Sequence, residues 1–280
     1  MRTSLLVVLT LALLGAAPAA SGDGGPSPGA IAGFDGVLAA NGGMRYVAIT
    51  SGATTTVAAI EVEGGRVLDY RSVHGLYGIP LVAYDGTTGG LSADGSALVL
   101  APFGGPPQQG QVSRFLVLDL AHHLRPAKRV ALRGAFSFDA ISPDARTLYF
   151  IQYLASASWT TYRVRAYDVA AGKLVPGSIV DRREPNEKMQ GSPVTRATSR
   201  DGGWAFTLYA RQADRPFVHA LDTRHRRAFC VDLPWRHADQ LSLNGIRMRA
   251  VRGRVLLRDY AGALASIDTH TWRVKSYRKP

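Results

Sequence analysis

Ala140–Tyr153 reads A-I-S-P-D-A-R-T-L-Y-F-I-Q-Y, and after a polar spacer Tyr162–Val180 reads Y-R-V-R-A-Y-D-V-A-A-G-K-L-V-P-G-S-I-V. Short apolar runs alternate here with turn residues, and each run has the length of a strand rather than a helix. The same order recurs along the chain. Leu91-Ser92-Ala93-Asp94-Gly95 precedes Ala97–Leu100, Ile141-Ser142-Pro143-Asp144 precedes Thr147–Phe150, and Thr198-Ser199-Arg200-Asp201-Gly202 precedes Trp204–Tyr209. Asp and Gly between apolar runs mark tight turns, because both tolerate positive φ. A second landmark is an acid that closes the third run of each unit: Glu61, Asp119, Asp168, Asp222 and Asp268, at intervals of 58, 49, 54 and 46 residues. Ile60–Val67 aligns without a gap on Ile267–Val274, so the first and last units match each other.

A unit of about 50 residues with four strands suits one blade of a β-propeller. A lone four-stranded sheet has two apolar faces and two open edges, and stacking blades around an axis buries the faces. The expectation is an all-β fold, a β-propeller of five blades with four antiparallel strands each. Leu81–Asp85 reads as the first strand of the second unit. Ring closure is expected from a strand near Gly33–Ala40 joining strands of Ile246–Tyr277. Trp204, Phe206, Tyr149, Ile151, Leu98 and Leu100 hold matching positions in second strands and are expected in the core.

Segments such as V-R-A-Y-D-V-A-A-G-K-L-V and V-H-A-L-D-T-R-H-R-R-A-F resemble the repeats of secreted bacterial β-propellers of the YVTN/WD40-like type, over roughly Gly33 to Tyr277. Trp-Asp never occurs, so the eukaryotic WD40 signature is missing. The resemblance implies the fold and leaves activity open, since such propellers serve as scaffolds, binders and enzymes.

Residues 1–22 read as a secretory signal peptide: Arg2 ahead of an apolar run from Leu5 to Leu14, then small residues suited to cleavage. That predicts a secreted or extracytoplasmic protein with no transmembrane segment after cleavage. Residues 23–32 are Gly/Pro/Ser-rich and read as a disordered linker. Residues 33–280 read as a single propeller domain. The lone cysteine, Cys230, has no disulfide partner within the chain and reads as a small buried hydrophobe.

The net charge is +12, yet residues 1–140 hold 9 basic and 9 acidic side chains; the whole excess follows residue 140 and is mostly arginine. A one-sided basic surface attracts polyanions. Arg182, Arg183, Arg224, Arg226 and Arg227 are the candidates for such contacts. The partner is expected to be a protein or an anionic envelope polymer rather than a specific nucleic acid, for which no recognition motif exists, and the protein is expected to be a monomer. No G-x-S-x-G, H-E-x-x-H, P-loop or C-x-x-C occurs, so no catalytic residues, metal or cofactor are expected. Asp85, Asp139, Glu187, Lys188 and Asp239 fall where strands enter the axis and form a candidate ligand site at the channel mouth. The expected function is an exported, non-catalytic binding or scaffold module; the alternative is a metal-assisted hydrolase or lactonase working in the channel.

Overall fold

The computed structural model describes residues 29–31, 36–104, 110–154, 161–185, 189–211, 214–236, 238 and 240–280. The signal segment lies outside them. The chain opens with β1 (Gly29–Ile31). Blade one comprises β2 (Val37–Leu38), β3 (Met44–Ser51), β4 (Thr54–Glu61) and β5 (Val67–His74). Blade two comprises β6 (Tyr77–Leu81), β7 (Ala97–Pro102), β8 (Val112–Asp119) and β9 (Arg125–Arg133). Blade three holds β10 (Phe136–Ile141), β11 (Thr147–Tyr153), β12 (Tyr162–Asp168) and β13 (Lys173–Leu174). Blade four holds β14 (Ser192–Thr198), β15 (Trp204–Ala210), β16 (Phe217–Asp222) and β17 (Arg227–Asp232). After α1 (Gln240–Asn244), blade five is made of β18 (Arg247–Val251), β19 (Arg254–Asp259), β20 (Gly262–Asp268) and β21 (Val274–Ser276). Each blade is an antiparallel meander, and the protein is an all-β, five-bladed β-propeller.

Strand alternation explains how the blades adhere. Leu98 and Leu100 of β7 point to blade one, where they meet Ala48, Val57 and Val73. Val99, between them, points to blade three with Phe115, against Phe136, Leu148 and Phe150. Tyr149 and Ile151 of β11 face blade four and its Tyr209, Phe217 and Leu221. Phe206 and Leu208 of β15 pack against Val255, Leu257 and Ile267 of blade five. Successive residues thus serve opposite boundaries, which is why these strands are apolar on both faces. Five of the six expected core residues are buried; Trp204 is half-buried, with its ring stacked on Phe206 at 5.9 Å and 5.3 Å from Trp272.

The turns after the inner strands share one chemistry. Ser92, Ser142 and Ser199 each donate a hydroxyl hydrogen bond to the Asp two residues on, at 2.6, 2.7 and 2.7 Å. Each hydroxyl also accepts from the amide five residues on, at 3.0, 2.9 and 2.9 Å.

Three features differ from the sequence reading. β2 pairs with β3, and blade five is complete from its own segment, so the N-terminal strand does not close the ring by joining the last blade. Gly29–Ile31, inside the stretch read as linker, pairs instead with β6. Finally, the inner strand of blade two stops at Leu81. Val82–Gly90 leaves the sheet as an excursion, pinned at its base by Val82 N to Thr87 O and Gly89 N to Pro80 O, both 2.9 Å.

Candidate functional site: a cavity on the propeller axis

The inner strands of blades three and four are both bulged. β10 shifts register between Phe138 and Ala140, and β14 between Pro193 and Thr195. A bulge leaves a residue outside the ladder and re-aims its side chain. In β10 that residue is Asp139. Its carboxylate and its backbone carbonyl both accept from the Arg196 guanidinium of β14. Arg196 Nε donates to Thr207 Oγ1 at 2.8 Å. The side chains of Arg196 and Asp139 are only 4% and 2% exposed, so each charge depends on the other; removing one partner leaves a buried charge uncompensated.

This pair forms part of the wall of a cavity of about 310 Å³, with Leu38, Ser92, Phe138 and Thr223 among the other lining residues. Blades one to four all contribute. An arginine has five N–H donors; three are engaged here among the described residues, and two are not. Thr223 is itself fixed: its hydroxyl donates to Gly202 O at 2.6 Å, and its carbonyl accepts from Tyr149 Oη at 2.8 Å. Burial pushes the Tyr149 phenol far above its ordinary value, so it remains a donor. At the cavity's outer edge, Arg200 is exposed.

Of the five residues expected at the channel mouth, Asp139 lines the cavity. Asp85 does not. It sits on the Val82–Gly90 excursion, where its carboxylate accepts from the Thr87 amide at 3.0 Å and the Thr87 hydroxyl at 2.6 Å and lies 3.9 Å from Arg247. The excursion crosses the axis: the amides of Tyr84 and Asp85 donate to the carbonyls of Pro193 and Val194 in β14, at 2.9 and 3.1 Å. Glu187, Lys188 and Asp239 lie outside the described residues. Among the described residues, no three His, Cys, Asp or Glu side chains converge in a metal-binding group.

The arginines expected to meet polyanions are largely occupied. Arg183 binds the buried Asp181 carboxylate at 2.6 Å, Arg224 binds Asp201 at 3.0 Å, and Arg227 binds Asp222 at 2.8 Å. Burial acts to raise the Asp222 carboxyl, but hydrogen bonds from His225 and Arg227 outweigh it and hold it below the ordinary value. These three arginines serve the fold. Arg182 and Arg226 are exposed, without an acid in salt-bridge range among the described residues.

Arg196 was not singled out from sequence. Its one signal was a charge inside an inner-strand run, S-P-V-T-R-A-T, where buried strands rarely hold one unpaired.

No known family and no curated protein matches the chain. Solved structures of β-propeller proteins do. The acylaminoacyl peptidase of Pyrococcus horikoshii is 8% identical, with a TM-score of 0.53, over 88% of this chain and 39% of that one. A puromycin hydrolase is 16% identical, with a TM-score of 0.51, over 90% of this chain and 39% of the hydrolase. The β-propeller domain of Swd1 from Myceliophteria thermophila is 12% identical, with a TM-score of 0.47, over 86% and 69%. The chain spans about two fifths of the two hydrolases, and at these identities the likeness concerns the fold alone. No helix among the described residues is long and apolar enough to cross a membrane.

Proposed function

We propose that the protein is an exported, non-catalytic β-propeller that binds a small polar ligand in its axial cavity. The observation that carries the reading is the buried Asp139–Arg196 pair in the wall of a cavity of about 310 Å³ that mixes apolar residues such as Val37, Leu38 and Phe138 with polar ones such as Ser92 and Thr223. Apolar surface with a few fixed polar groups is the usual make-up of a small-molecule site. The two remaining guanidinium donors suit a ligand with carbonyl or carboxylate oxygens. Export is supported by the pattern of residues 1–22.

The test is native mass spectrometry of protein recovered from its native host. The expected result is a mature chain lacking the signal segment, with a bound small molecule. Thr198 is exposed at the cavity edge, so Thr198→Trp should expel the molecule while the emptied chain still folds cooperatively, its melting temperature lower only by the ligand's own contribution. A wild-type chain that carries nothing, or a Thr198→Trp chain that keeps its passenger, overturns the reading.

A further inference from the structure

Four apolar clusters fill four blade boundaries: one with two, two with three, three with four, and four with five. Among the described residues none spans blades five and one. The surfaces that would meet there are open in part, although Val47 and Ala58, on the same face of blade one as Tyr70, are buried. On blade one, Ile49 is 52% exposed and Tyr70 is 70% exposed. On blade five, the inner strand β18 exposes Arg247 and Arg249, whereas the corresponding β10 is buried throughout.

Register shows what that open face carries. Arg249 lies opposite Leu256, Leu256 opposite Ser266, and Ser266 opposite Lys275. Arg247 lies opposite Arg258, and Val251 opposite Arg254. Residues paired across strands share a face, so four arginines and one lysine stand on the side turned away from blade four, with one acid, Asp268, opposite Arg254. Residues 246–280 hold nine basic and two acidic side chains. Both acids are engaged: Asp259 with Arg278, and Asp268 with the Thr271 amide at 2.8 Å and the Thr271 hydroxyl at 3.0 Å. Arg249, Arg254 and Arg258 have no acid in salt-bridge range among the described residues. Like charges directly opposite, as at Arg247 and Arg258, destabilise a sheet; Arg247 is met by Asp85 at 3.9 Å and by the Asn244 and Ile246 carbonyls, whereas Arg258 has no such acid among the described residues.

We propose that this face of blade five is a docking surface for an acidic polysaccharide. Arg247 and Arg258 stand on neighbouring strands about 4.8 Å apart, Arg247 and Arg249 about 7 Å apart along β18, and Arg254 and Arg258 about 14 Å apart along β19. That grid suits a linear chain with one carboxylate per sugar, each taken by an arginine fork. Tyr277 belongs to the same face: it is 48% exposed, its hydroxyl is 3.1 Å from Ser266 Oγ, and Lys275 lies 5.3 Å from its ring centre. An exposed ring with nearby hydroxyls suits a sugar ring. One tyrosine is a poor platform for successive nucleobases, which favours the glycan over single-stranded nucleic acid. The surface is independent of the axial cavity.

The experiment measures binding of the mature chain to polygalacturonate at low salt, with polyglutamate, oligo-dT and phosphatidylglycerol vesicles as comparisons. Polygalacturonate should bind most tightly, and its affinity should fall as added salt shortens screening to about 8 Å. R249S/R254S/R258S should lose about tenfold or more, the size expected for lost charge-assisted contacts, while R182S/R226S should bind as wild type does. The triple variant should melt as wild type does; if it does not, R249S/K275S replaces it, with the same expected direction. Absence of binding at low salt, undiminished binding by the blade five variants, or tighter binding to oligo-dT, polyglutamate or vesicles would overturn the proposal.

Discussion

Phe150 stands at the centre of an aromatic group that joins blades two and three. Its ring centre is 4.6 Å from Phe115 and 6.2 to 6.4 Å from Tyr167, Phe138 and Phe136. Phe150→Ala should therefore cost about 3–5 kcal/mol, as for other large buried aromatics. Tyr260→Ala, at a fully exposed position, should stay within about 0.5 kcal/mol of wild type. Chemical denaturation of both variants checks the contrast. His219 sets a pH dependence. Burial pushes its imidazole down to about 4; Nδ1 lies 3.8 Å from Cys230 Sγ, and Nε2 is buried without a hydrogen-bond partner among the described residues. The unfolded chain takes up this proton first, near pH 6.5. Stability from the neutral ring is thus fully present above about pH 6.5 and lost as pH falls toward about 4, by roughly 2–4 kcal/mol. Carboxylates held below their ordinary value, such as Asp222, lose their share at lower pH. His219→Leu should flatten the stability profile between those two pH values, and an unchanged slope would assign the dependence to other groups.

The turns between third and fourth strands compare one backbone shape across blades. Gly172 and Arg226 each donate an amide hydrogen bond to the carbonyl of the landmark Asp four residues earlier, and their φ values are 68° and 54°. Trp272 does the same at φ 58°. For Trp272 the left-handed backbone presents an indole that stacks on Phe229 at 4.5 Å, so the aromatic contact offsets the strain. Arg226 has no such return among the described residues. Arg226→Gly should stabilise by about 0.5–1 kcal/mol, because the left-handed cost to an L-residue exceeds the extra entropy of an unfolded glycine; thermal unfolding measures it. Turns and strands of this kind were legible in the sequence because they are local: a serine, an Asp two residues on and an apolar alternation all fall within a dozen positions. Leu81–Asp85 misled because L-V-A-Y-D prolongs the apolar run past the point where the chain leaves the sheet. Nothing within that segment records that its amides are taken by a different blade.

The five-bladed architecture followed from the period, but the cavity did not. Asp139 and Arg196 are 57 residues apart, and their pairing depends on two bulges in separate blades. The position of the charge excess was likewise hidden. Arg183, Arg224 and Arg227 read as free and are paired, whereas the arginines in the strands of blade five were not singled out and are left uncovered. Whether a strand face is covered depends on the neighbouring blade.

The Val82–Gly90 excursion has a mechanical meaning. Sheets packed face to face along an arc, with one boundary lacking an apolar cluster among the described residues, form a linkage that can hinge apart. A strut from blade two to β14, with Asp85 near Arg247 of blade five, triangulates that linkage and holds the arc at fixed curvature. Replacing Tyr84–Gly86 with a single glycine removes the strut's far end while keeping its base. The expected result is a larger radius of gyration by small-angle scattering and faster amide exchange in β14, with blades two and three still folded. An unchanged scattering profile would mean that the blade boundaries alone hold the arc, and that the strut carries no tension.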